Sequence, residues 1–175
     1  MHKSHILSTQ EYAPFYESYF QLNQENNIIQ AMLNSEKELI SMLLSISEED
    51  FNYAYEQGKW TIKELMQHII DNERVFGYRA MRFSRNDFTE LPDYNEKETI
   101  PYSNANNRTK KEIIDEFIAV RKSSIALFSS FSKEMLLKKG IASKNYISVR
   151  ALGYLISGHQ RHHQNILKER YLELL

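Results

Sequence analysis

Ser148-Val149-Arg150-Ala151-Leu152-Gly153-Tyr154-Leu155-Ile156-Ser157-Gly158-His159-Gln160-Arg161-His162-His163-Gln164-Asn165-Ile166-Leu167 begins a C-terminal run with a sustained helical period. From Ser148 to Leu174 it reads as one long amphipathic helix. Leu152, Leu155 and Ile156 begin an apolar stripe that Ile166 and Leu167 resume. Between them the stripe passes through histidines. At 100° per residue, His159 and His163 lie about 40° apart, one turn apart on one face. Two imidazoles where leucines belong cost stability unless something pairs with their nitrogens. A metal ion is the partner the chemistry favours, because neutral imidazole is a common ligand.

Working outward, the chain shows the same period almost everywhere. Only five glycines and three prolines interrupt 175 residues, which predicts an all-α protein. A first long helix is expected from Gln24 to Ile46, on a stripe that includes Ile28, Met32, Leu39 and Leu43. The aromatic stretch Tyr12–Leu22 either extends it or lies across the bundle. The second helix starts at a capping box, Thr61 with Glu64, with Trp60 as a hydrophobic staple against Leu65, and runs to Ser84. Arg85–Arg108, with Pro92, Pro101 and several asparagines, reads as a long crossover, a length that is usually functional. The third helix spans Thr109–Phe131; a short piece, Ser132–Lys138, ends at Gly140 before the fourth. Without strand signals, this pattern is a single-domain four-helix bundle over residues 1–175.

Bulk properties exclude several classes of function. Lys and Arg total 22 against 23 for Asp and Glu, a net charge of −1, so the electrostatic footprint of a nucleic-acid binder is missing. No window approaches a membrane span, and no apolar segment follows the N-terminus as a secretory signal requires; the expected location is cytoplasmic. Cysteine is absent, so a metal must be held by His, Asp or Glu, and no cysteine nucleophile exists.

His68 supplies a third inward imidazole. It shares a face of the second helix with Leu65, Ile69, Asn72 and Phe76. A lone buried histidine is more often a hydrogen-bonded core residue than a ligand. Three of them on two helices resemble the three-ligand catalytic zinc site, whose remaining position holds water or substrate. His162 lies about 60° from His159, away from His163, and is expected at the rim. His2 and His5 receive no role.

The residues also carry a family resemblance. Gly58-Lys59-Trp60-Thr61-Ile62-Lys63-Glu64-Leu65, His68, Asp71, Glu73-Arg74 and Tyr78-Arg79 resemble the second-helix signature of the DinB-like superfamily. Leu91-Pro92-Asp93-Tyr94 resembles the loop that follows it. Ser148-Val149-Arg150-Ala151-Leu152, Gly158-His159-Gln160-Arg161-His162-His163 and Glu169-Arg170-Tyr171-Leu172 resemble its last helix. The resemblance implies an up-down-down-up four-helix bundle holding a divalent metal, commonly zinc or nickel, through His68, His159 and His163. Some relatives are described as metal-dependent hydrolases; others join a low-molecular-weight thiol, such as bacillithiol or mycothiol, to an electrophile.

Three functions follow for testing. In a thiol S-transferase the metal would bind and deprotonate the incoming thiol, with Arg79, Arg150 or Arg161 as candidates for its acidic groups, unless glutamates already pair with them. A hydrolase would need a carboxylate base near the histidines; Asp71 and Glu73 are the candidates, each turned away from His68. A non-enzymatic metal-binding bundle would have no crevice leading to the histidines. A small-molecule substrate is the expected partner, and a homodimer fits the aromatic N-terminal segment.

Overall fold

The computed structural model describes residues 7–173. Four long helices carry the fold: α1 (Ile28–Ser45), α2 (Ile62–Ser84), α3 (Lys110–Ser129) and α4 (Val149–Ile166). Their starts are chemically marked. Asn27 and Ser148 accept hydrogen bonds from the backbone N–H groups of Gln30 and Ala151. Thr61 with Glu64, and Thr109 with Glu112, form complete capping boxes.

The helices stand as a square in which α1 and α2 each pack against both α3 and α4. Directions follow from side-chain contacts. Arg108, just before α3, donates to Gln67 near the start of α2 at 2.8 Å, so these two helices run parallel. Lys110 reaches the carbonyl of Ile46 at the end of α1, so α3 opposes α1. Ile28 at the start of α1 faces Gly153 early in α4, and further along both helices Arg161 pairs with Glu38 at 3.0 Å, so α4 runs parallel to α1. The result is the up-down-down-up bundle the sequence resemblance implied. Parallel neighbours α2 and α3 need a long return, and this is the role of the 85–108 connection.

Three local features differ from the sequence expectation. The segment before α4 is a β-hairpin, β1 (Lys139–Ala142) with antiparallel β2 (Asn145–Ser148). Ser143 and Lys144 turn it with φ of 52° and 63°, left-handed values not readable from these residue types. Strands of four residues are also too short for alternation to stand out. The crossover is partly ordered as the helix Glu96–Thr99 and two 3-10 turns, Ile100–Tyr102 and Ala105–Asn107. Beyond α4 the chain continues as a wider π-type winding, Leu167–Leu172, and the expected end at Leu174 lies outside the described residues.

The hairpin is a platform. Leu91 of the crossover bonds one edge, donating to Ile141 O at 3.0 Å and accepting from Ser143 N at 3.1 Å. The N-terminal segment bonds the other edge, with Ala13 N donating to Tyr146 O at 3.1 Å. This segment then crosses the bundle as Pro14–Tyr16 and Glu17–Phe20. Its approach needs Gly158: a Cβ there would stand 2.3 Å from the carbonyl oxygen of Tyr19.

At the centre Arg121 of α3 is fully buried. Nε and Nη2 grip both oxygens of Glu73 at 2.9 Å. Nη1 donates to Met32 O at 2.7 Å and Ser35 Oγ at 2.9 Å, and Nη2 also donates to Gln160 Oε1 at 2.8 Å. All five guanidinium protons therefore have acceptors, drawn from α1, α2 and α4. Removing one partner of a buried pair leaves an uncompensated charge. Replacing Arg121 by Met is expected to cost about 3–5 kcal/mol in urea unfolding, and adding Glu73→Leu to recover most of it. A single variant as stable as wild type would refute this account of the core.

Candidate metal centre

His68 comes from the second turn of α2, and His159 and His163 from consecutive turns of α4. Their Nε2 atoms converge. His68 to His159 is 3.1 Å, His68 to His163 is 2.9 Å and His159 to His163 is 3.1 Å. His68 and His159 are buried and His163 is half-buried. Periodicity placed these three on inward faces, and the bundle brings them to one point.

No assignment of protons satisfies this triangle. Each Nε2 of a neutral ring either carries a proton or presents a lone pair, so among three mutually contacting atoms at least two have the same role. At least one contact is then lone pair against lone pair, or proton against proton. Three lone pairs turned toward one cation remove the conflict. Edges of 2.9–3.1 Å suit a single ion at the usual imidazole distance of about 2.0–2.1 Å.

Burial, more than any neighbour, lowers the proton affinity of each ring. His68 falls to about 4, while His159 and His163 fall well below the ordinary histidine value, with the adjacent histidines adding to the effect. The rings are neutral at pH 7, the form in which imidazole coordinates.

Surrounding groups hold the rings. Trp60 packs on His68 with centroids 4.9 Å apart, and its carbonyl accepts from Tyr171 Oη at 2.8 Å. The indole is thus both a staple on the core beside Leu65 and a wall of the site. Phe76 meets His159 edge-on at 5.6 Å. The Asn72 amide lies 3.2 Å from His68 Nδ1 and donates to His68 O at 3.0 Å. His163 Nδ1 is buried without a hydrogen-bond partner among the described residues. His162 stays outside the trio, half-buried against Tyr19 at 5.2 Å, on the rim as its angle indicated. His2 and His5 lie outside the described residues.

A cavity of about 500 Å³ leads to the histidines. Tyr16 and Tyr19 of the N-terminal segment form one wall, Asp93 and Tyr94 of the crossover another, and Asn72 and Phe76 the floor. A second cavity, of about 630 Å³, meets it at Trp60, Lys97 and His163. A crevice therefore reaches the trio, unlike the closed site of a structural or storage centre.

The other charged candidates fall elsewhere. Asp71 accepts from Gln67 at 3.0 Å and Arg74 at 3.1 Å, and Glu73 is held by Arg121. Neither serves the histidines as a base. Arg150 pairs with Glu11, and Arg161 with Glu25 and Glu38. Arg79 alone of the three lines the cavity.

The family model described as the DinB superfamily matches residues 32–167, which include all three histidines. The chain belongs to the DinB superfamily. Among solved structures it is similar to YfiT from Bacillus subtilis, described as "a probable metal-dependent hydrolase with an unusual four-helix bundle topology". The TM-score is 0.75 at 15% identity, over 94% of each chain. It is also similar to the DinB-like protein YjoA from Bacillus subtilis, with a TM-score of 0.61 at 16% identity, over 84% of this chain and 90% of that one. At such identities the likeness establishes the DinB fold and not the activity. No curated protein matches the sequence.

The depressed histidine values predict a pH dependence of the metal-free protein. With folded values below the ordinary 6.5, the unfolded chain binds more protons as the pH falls, so stability rises with pH through this window. The melting temperature of metal-free protein should hold above pH 6.5 and drop steadily toward pH 4. A His163→Gln variant should drop less steeply. Equal slopes for the two proteins would contradict the burial argument.

Proposed function

We propose that this DinB-superfamily chain is a metal-dependent enzyme whose His68, His159 and His163 hold one divalent cation, zinc or nickel, and whose reaction is transfer of a low-molecular-weight thiol to an electrophile. The observation that carries this reading is the Nε2 triangle, which no proton arrangement satisfies, placed at the inner end of an open cleft. When bound there, a divalent cation supplies a strong bias toward the deprotonated form of a thiol or water.

The chain's own residues do the rest. Neutral, buried imidazoles offer lone pairs without protons to displace at neutral pH. Trp60 and Phe76 pack on His68 and His159, fixing ring orientation and excluding water. Asn72 Nδ2, which donates to His68 O and lies 3.2 Å from His68 Nδ1, braces the ring from the side away from Nε2. With no cysteine in the chain, a sulfur nucleophile must arrive with a substrate. Among the described residues the ligand cluster contains no carboxylate, and Asp71 and Glu73 of the same helix as His68 are bound elsewhere. A thiol activated by coordination has less need of a base than a water nucleophile does.

Hydrolysis is the second reading. The description of YfiT favours it, and Asp93 and Glu96 on the outer wall are the carboxylates available to it. The experiment begins with metal analysis of protein purified without a histidine tag, alongside His68→Ala, His159→Ala and His163→Ala. Wild type should retain metal and conjugate a small thiol to an electrophile such as monobromobimane, and the variants should lose both. Ester or amide cleavage without conjugation would select hydrolysis. A metal-free wild type, or full activity after complete metal removal, would end both readings. Asn72→Ala should weaken metal affinity by about tenfold or more while the fold persists, measured by competition with a chromophoric chelator.

A further inference from the structure

The far end of the cleft holds a charge that the histidine site does not use. His68, Asn72, Phe76 and Arg79 follow one another at steps of one turn along α2, and all four line the same cavity. Eleven residues, about 16 Å of helix, separate His68 from Arg79. Of the charged residues on the cavity wall, Asp93 and Lys97 are exposed, Glu96 is half-buried and Arg79 is buried at 6% exposure.

Arg79 differs from the other buried arginines in its partners. Arg121 and Arg161 each meet a carboxylate directly, at 2.9 and 2.8 Å. Arg79 makes no ion pair among the described residues. Its Nη2 donates to Pro92 O at 3.1 Å and to Ser143 Oγ at 2.9 Å. Asp93 is one hydrogen bond further out, accepting from Ser143 Oγ at 2.8 Å. Nε and Nη1 have no protein acceptor among the described residues. Burial disfavours the guanidinium's charge, and a buried cation without a matched anion is expensive unless a ligand completes it. Its contacts come from the crossover and the hairpin turn, so the loops that form the cleft also aim this side chain.

We propose that Arg79 docks a carboxylate or phosphate of the substrate, so that the molecule lies along α2 with its anionic end at Arg79 and its reacting end at the histidines. The floor between the two ends is Val75 and Phe76, facing Leu155 of α4, and suits an apolar or ring-shaped middle. The inference rests on the histidine trio being the reacting end.

The test uses the full chain loaded with cobalt(II), titrated with 8-mercaptooctanoate or with the neutral 8-mercaptooctanol. Binding is read from the thiolate-to-cobalt absorption band. Wild type should bind the acid about tenfold more tightly than the alcohol, the worth of one charge-assisted contact. Arg79→Gln should bind both alike, at the alcohol's affinity, and Arg79→Lys should keep part of the preference. No preference in wild type, or the same preference in Arg79→Gln, overturns the proposal. Should cobalt bind and neither thiol give the band, thiol activation fails, and the Arg79 site is then decided by suberate. This dicarboxylate should raise the melting temperature of metal-free wild type and of Arg79→Lys, and leave Arg79→Gln unmoved. An equal rise in wild type and Arg79→Gln, or none in wild type, overturns the proposal.

Discussion

The bidentate grip of Arg121 on Glu73, with the bonds of the same guanidinium to Met32, Ser35 and Gln160, ties the four helices of the bundle together. A fully buried guanidinium must place all five of its protons, and here the acceptors come from α1, α2 and α4. That requirement fixes the rotation of each helix about its axis. With Gln160 turned to Arg121, His159 and His163 lie about 100° and 60° round α4 to the same side of it and face α2. With Glu73 turned the same way on α2, His68, about 140° around the helix, faces α4. Apolar packing alone tolerates sliding and rotation at modest cost. A polar hub of this kind does not, and its specificity is transmitted to three nitrogens held within 3.1 Å of one another.

The site inverts the logic of the hub. At Arg121 every donor has an acceptor, so the protein completes itself. At the histidines no arrangement of protons completes the contacts, and at Arg79, which lines the cavity, two nitrogens have no protein acceptor among the described residues. Both incomplete points lie along one face of α2, and both are walled by chain held in place by the hairpin. The bundle therefore stabilises its centre and leaves a line of unsatisfied chemistry along one seam. This is the arrangement expected where a ligand supplies what the fold omits.

Much of this was legible in the residues. Periods of 3.6 gave the four helices and put His68, His159 and His163 on inward faces, and the motifs around them carried the family. The angular offset of His162 separated it from His163 correctly. The hairpin was hidden because four-residue strands show no alternation and its turn uses Ser143 and Lys144, with no glycine to signal left-handed φ. Arg121 was missed although a signal existed: it sits with Phe117, Ser124 and Phe128 on the buried face of its helix, where a charge is as conspicuous as a histidine. The distinction among Arg79, Arg150 and Arg161 was beyond the sequence, since it depends on which glutamates the N-terminal segment and α1 bring near.

X-ray absorption at the zinc edge of the zinc-loaded protein, with and without a small thiol, tests whether three Nε2 atoms hold one divalent ion with a position left for substrate. The spectrum should show three imidazole nitrogens at about 2.0–2.1 Å plus one light atom, which a sulfur at about 2.3 Å replaces when thiol is added. Fewer than three imidazoles, or a fourth ligand from the protein that thiol does not displace, would contradict a three-histidine site open to substrate.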